Sequence, residues 1–173
     1  MVEATAHDGK SIAGLTKIAA YRELKEQLAA LYLSERDGLA NAANLSAILY
    51  QGLQHVNWVG FYFTRGDELV LGPFQGKVAC VRIAQGRGVC GAAAERRQTL
   101  VVADVHAFPG HIACDAASRS EIVVPVLQRD RLVGVLDLDS PQPGRFDQDD
   151  AAGLEAIVDV FVQKSDLTRL GED

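Results

Sequence analysis

Glu121-Ile122-Val123-Val124-Pro125-Val126-Leu127, then Gln128-Arg129-Asp130, then Arg131-Leu132-Val133-Gly134-Val135-Leu136-Asp137-Leu138-Asp139: two apolar, β-branched runs flank a three-residue turn. This pattern reads as a β-hairpin. Residues two apart on a strand share a face, so Asp137 and Asp139 project together, beside Val133 and Val135. Pairing around the turn brings Glu121 near the strand end that carries both aspartates. Three carboxylates at one sheet end repel each other, so at least one is expected to hold its proton above the usual carboxyl range. Such a cluster can bind a cationic group such as an ammonium, deliver a proton, bind a divalent metal, or simply sit solvated.

Upstream, Asn57–Phe63 is aromatic and β-branched, and Arg65-Gly66-Asp67 turns it into Glu68–Phe74 as a second hairpin. Between the hairpins, Val78–Ile83 has strand character and Val89 to Arg97 reads as a short Ala-rich helix. Thr99–Val102 reads as a short strand and Val105 to Ser120 as an extended loop. Helical spacing marks Thr16 to Glu35, with Ile18, Tyr21, Leu24, Leu28 and Leu31 inward. A second helix places Leu39, Ala42, Leu45, Ile48, Leu49 and Leu53 on its buried side. Asp147 caps a last helix with Leu154, Ile157, Val158, Phe161 and Val162 inward. The order specifies an α+β domain over 15–165, between a disordered lead-in at 1–14 and a tail at 166–173. Helices cover one face of a central antiparallel sheet. The cysteine-bearing insert covers the other, and the expected ligand pocket lies beneath it.

The chain has 173 residues and a net charge of −6, which argues against a phosphate-backbone binder. No apolar run reaches the roughly 20 residues of a membrane span. Met1–Gly14 lacks the basic and apolar stretches of a signal peptide, so the expected location is cytoplasmic. Three cysteines, an odd number, argue against a structural disulfide framework.

Cys80, Cys90 and Cys114 all fall in the insert. There Lys77, Arg82, Arg87, Arg96, Arg97 and Arg119 outnumber Glu95, Asp104 and Asp115, a net positive setting that favours thiolates. By local features Cys90 is the best activated, because it sits near the start of the short helix. Cys114 lies in the long loop, before Asp115, and loop mobility suits a nucleophile that must meet a substrate and then a partner thiol. The cysteine separations lack the paired short spacing of structural zinc sites, so His106 and His111 read as loop residues and no metal is expected.

Asn57-Trp58-Val59-Gly60-Phe61-Tyr62, Gly72-Pro73-Phe74-Gln75-Gly76-Lys77-Val78-Ala79-Cys80, Gly86-Arg87-Gly88-Val89-Cys90 and His111-Ile112-Ala113-Cys114-Asp115 occur in that order. With Ser120-Glu121-Ile122-Val123-Val124-Pro125 and Gly134-Val135-Leu136-Asp137-Leu138-Asp139-Ser140, they closely resemble the free methionine-(R)-sulfoxide reductases, a GAF-domain family, over roughly residues 16 to 163. The resemblance implies Cys114 as nucleophile, overriding the local preference for Cys90. It implies Cys80 as the main resolving cysteine with Cys90 an alternative, and regeneration by thioredoxin or a similar dithiol without a bound cofactor. Glu121, Asp137 and Asp139 would then hold the substrate ammonium and supply the proton, and Trp58 and Tyr62 would wall the methyl group. A homodimer is expected on the same resemblance.

Overall fold

Alternation by two sorts the side chains of the central strands into two cores. The computed structural model describes residues 14–110 and 116–171. Helices α1 (Lys17–Leu31) and α2 (Gly38–Gly52) precede strands β1 (Trp58–Arg65), β2 (Glu68–Gly76) and β3 (Arg82–Ala84). Helix α3 (Gly88–Arg96), β4 (Leu100–Val102), a 3-10 turn (Val105–Ala107), β5 (Ser120–Gln128), β6 (Arg131–Ser140) and α4 (Gln148–Lys164) follow. The strands form one six-stranded sheet in the order β3-β2-β1-β6-β5-β4, and each neighbouring pair is antiparallel.

Val59, Phe61 and Phe63 of β1 point to the side of α1, α2 and α4, together with Ile122, Val124, Leu136 and Leu138. Trp58, Tyr62, Val123 and Val135 point the other way, into a smaller core closed by Val89, Cys90, Ala93 and Ala94 of α3. Thr16, Asp37 and Asp147 cap their helices through side-chain oxygens, and Asp150 completes a capping box at α4. The fold is the expected α+β arrangement, helices on one face and the insert on the other.

Five details differ from the sequence reading. Val78–Ile83 does not form a strand: only Arg82–Ala84 pairs with β2, and Val78 is 87% exposed. The physical reason lies in β1, whose Trp58 Nε1 and Tyr62 hydroxyl donate to the carbonyls of Lys77 and Cys80. Those carbonyls serve side chains instead of a ladder. Val133 does not share the face of Asp137. Val126 pairs with Gly134 and Leu127 with Leu132, so Val133 is an unpaired bulge residue turned into the helix-side core. Ile18 and Leu39 are more than half exposed, each lying to the side of the face its helix buries: Ala20, Tyr21, Leu24 and Leu28 in α1, and Ala42, Leu45 and Leu49 in α2. Finally, the stretch after α4 is anchored. Leu167 and Leu170 are buried in the main core, and Arg131 donates to the carbonyls of Leu167 and Gly171.

Candidate active site

The hairpin β5–β6 places Glu121 opposite Asp139, and Asp137 opposite Val123 and next to Gly60 of β1. All three carboxylates therefore line one cavity between the sheet and the insert. The cavity measures about 30 Å³, and Trp58, Tyr62, Val78, Ala79, Arg87 and Cys90 complete much of its wall. Glu121 and Asp137 are each 6% exposed. Burial, then the charges of Asp137 and Asp139, push the Glu121 carboxyl well above its ordinary range. Burial and the charge of Asp139 do the same to Asp137. Buried like charges cannot all ionise together, so the cluster keeps protons at pH values where free carboxylates have lost theirs.

Trp58 and Tyr62 form the aromatic wall. Trp58 stacks on Phe74 with centroids 5.4 Å apart and on Tyr62 at 5.9 Å. Gly60 makes this possible, because a Cβ there would stand 2.4 Å from Phe74 Cβ and 2.5 Å from the Trp58 ring. The Tyr62 hydroxyl donates to the Cys80 carbonyl at 3.1 Å, tying the half-buried Cys80 segment over the cavity.

Cys90 contradicts its local reading. It does lie in the first turn of α3, but its sulfur is buried 3.8 Å from Glu121 Oε1. Burial, then the nearby Asp137 and Glu121, push the Cys90 thiol well up. The acidic floor outweighs the helix terminus, and Cys90 is held as a neutral thiol. Zinc-type ligand spacing is absent from the cysteines and histidines, yet Cys90, Glu121 and Asp137 form a compact set of donor atoms within 4.8 Å of one another.

The GAF domain family model matches residues 16–163. The free methionine-R-sulfoxide reductase of Escherichia coli (strain K12) is 52% identical over 83% of this chain and 87% of its own length. The chain belongs to the free methionine-R-sulfoxide reductases, a GAF-domain family. The free methionine-R-sulfoxide reductase of Neisseria meningitidis, solved in complex with its substrate, superposes with a TM-score of 0.85 at 46% identity, covering 89% of this chain and 93% of that one. A Burkholderia vietnamiensis protein described as a candidate GAF sensor superposes with a TM-score of 0.84 at 60% identity, covering 87% and 96%.

Within this reductase-family chain the structure unites Cys90, Glu121, Asp137, Asp139, Trp58 and Tyr62 in one cavity, with Cys80 in its covering segment. Cys114 and His111 lie outside the described residues, and His106 sits in the 3-10 turn away from the cavity lining. Sequence reasoning did not single out Ser118 or Arg87 as lining residues. Arg87 was legible as the basic residue just before α3, where a positive group and a helix start coincide.

Proposed function

We propose that the chain reduces free L-methionine-(R)-sulfoxide to methionine, using Cys114 as nucleophile and the acidic cluster as proton source. The observation that carries this reading is the pair of buried carboxyls, Glu121 and Asp137, set beside Asp139 on the floor of a cavity with an aromatic wall, where burial and neighbouring charge push both well up. A sulfoxide oxygen leaves as water only if protons reach it, and a carboxyl that keeps its proton near neutrality can deliver one. Cys114 thiolate attacks the sulfoxide sulfur, methionine departs, and the oxygen remains on Cys114 as a sulfenic acid. The thiol of Cys80, or of Cys90, displaces that oxygen as water and forms a disulfide. Thioredoxin or a similar dithiol then reduces the disulfide by exchange.

The negative charge left in the cluster, at Asp139, suits the ammonium of a free amino acid. A methionine inside a peptide has no ammonium there, which accounts for selectivity toward the free form. Trp58 and Tyr62 hold the methyl group by apolar contact. Exposed Ile18, Leu33 and Leu39 near the first two helices support a homodimer, and the cytoplasm is the compartment suited to a dithiol-regenerated enzyme.

The reading is tested by mixing reduced protein with free L-methionine-(R)-sulfoxide in the absence of reductant and counting thiols while measuring methionine. The expected result is one methionine released for each pair of thiols lost, abolished by Cys114→Ser and absent with N-acetylated substrate. Binding of the sulfoxide without loss of thiols would make the chain a ligand sensor instead.

A further inference from the structure

The cavity floor carries a donor set suited to more than an amino acid. Cys90 Sγ and carboxylate oxygens of Glu121 and Asp137 lie within 4.8 Å of one another, with Sγ 3.8 Å from Glu121 Oε1. A four-coordinate zinc-class ion holds sulfur at about 2.3 Å and carboxylate oxygen at about 2.1 Å, which sets such ligands about 3.6 Å apart. The three side chains come from α3, β5 and β6 and are only 4–6% exposed, so the scaffold fixes their positions. A second observation concerns Asp137 alone. Its Oδ1 is buried in the cavity wall and has no hydrogen-bond partner among the described residues. A buried oxygen without a donor is costly, and a cation in the cavity removes that cost. The cavity, about 30 Å³, has room for an ion and a water.

We propose that Cys90, Glu121 and Asp137 form a binding site for a thiophilic divalent cation of the zinc class, and that the bound ion excludes the amino-acid substrate from the cavity. On binding, Cys90 releases its proton to solvent, as do Glu121 and Asp137 where they hold one; sulfur–metal and oxygen–metal bonds replace the S–H and O–H bonds, and no electron changes hands. Magnesium and calcium, which require oxygen-rich shells, gain little from a thiol-containing set. Ion binding stands on geometry alone, whereas exclusion of substrate rests on the reductase reading of the cavity.

The experiment titrates the reduced full chain with Cd²⁺, a spectroscopic stand-in, and with Zn²⁺. It follows thiolate-to-metal charge-transfer absorption and, by calorimetry in buffers of different ionisation enthalpy, proton release. The variants are Cys80→Ser/Cys114→Ser, Cys90→Ser, and Asp137→Asn in the double-serine background, each checked by thermal unfolding. The double-serine variant is expected to keep an equimolar absorption band with proton release, and Cys90→Ser to lose it. Asp137→Asn is expected to weaken binding at least about tenfold, since it removes a ligand charge. Free methionine should weaken the apparent metal affinity. A band that survives Cys90→Ser, or vanishes in the double-serine variant, assigns the ion to other thiols and overturns the site. If Cys90→Ser does not fold, unchanged affinity in Asp137→Asn overturns it equally. Tight binding that methionine leaves untouched overturns the exclusion and points to a failure of the substrate-cavity reading, not of the ion site.

Discussion

Replacing Asp137 with Asn should stabilise the protein at neutral and alkaline pH while crippling its chemistry. Asp137 is buried, faces Glu121, Asp139 and the Cys90 thiol, and has one oxygen without a hydrogen-bond partner among the described residues. Its carboxyl is held well above the ordinary range by burial and then by Asp139. The unfolded chain loses this proton near pH 3.9, so above that pH the folded state binds more protons than the unfolded state. Stability contributed by the protonated carboxyl is therefore complete below about pH 4 and declines as pH rises toward the folded value. The slope is at most about 1.4 kcal/mol per pH unit for one such group. Asn cannot ionise and keeps a hydrogen-bonding amide in the same volume, so that decline disappears. Each kcal/mol recovered raises Tm by about 2–4 °C for a chain of this size. Calorimetric unfolding of wild type and Asp137→Asn between pH 5 and about 9 reads both the gain and the flattened slope. The turnover of free methionine-(R)-sulfoxide should fall about 10²- to 10⁴-fold, as expected when an acid in the transition state is lost. A variant with an unchanged pH slope and a lower Tm at alkaline pH would refute the reasoning.

Gly60→Ala would drive a Cβ into Phe74 and the Trp58 ring, costing about 1–3 kcal/mol and altering the Trp58 near-ultraviolet dichroism. Tyr62→Phe removes the hydroxyl bond to the Cys80 carbonyl; it should cost about 0.5–1.5 kcal/mol and slow disulfide formation more than methionine release in single-turnover thiol counting. Asp150→Ala removes a fully buried carboxylate and takes this partner from Lys17, Arg145 and Tyr21, with an expected loss of about 3–5 kcal/mol in denaturant unfolding and little effect on substrate affinity.

The hairpin that carries the acids was legible because its alternation is regular: Glu121 does face Asp137 and Asp139 across the pairing the sequence implied. The aromatic strand β1 and the capped helix α4 were legible for similar reasons, period and caps being local signals. What escaped the sequence depends on contacts between distant elements. The Val133 bulge depends on how β5 and β6 twist past each other, and no residue type announces it. Residues 78–80 have strand composition but form no ladder, and the Cys80 carbonyl accepts from the Tyr62 side chain of β1 instead. Cys90 shows the same limit in the site itself. Its place at the start of α3 was predictable, but the buried acids 31 residues and more downstream decide its protonation. Leu167 and Leu170 looked like a tail because helical period ends at α4, yet they close the core beside Val133.

The central claim is that a carboxylic acid in this cavity keeps its proton at neutral pH and gives it to the departing sulfoxide oxygen. Infrared difference spectroscopy of the reduced protein at neutral pH, before and after free methionine-(R)-sulfoxide is added, reads that proton directly. The account predicts a protonated-carboxyl carbonyl stretch in the resting protein that shifts with substrate and weakens in Glu121→Gln and Asp137→Asn. A resting spectrum with carboxylate bands only, the same in all three proteins, would contradict it.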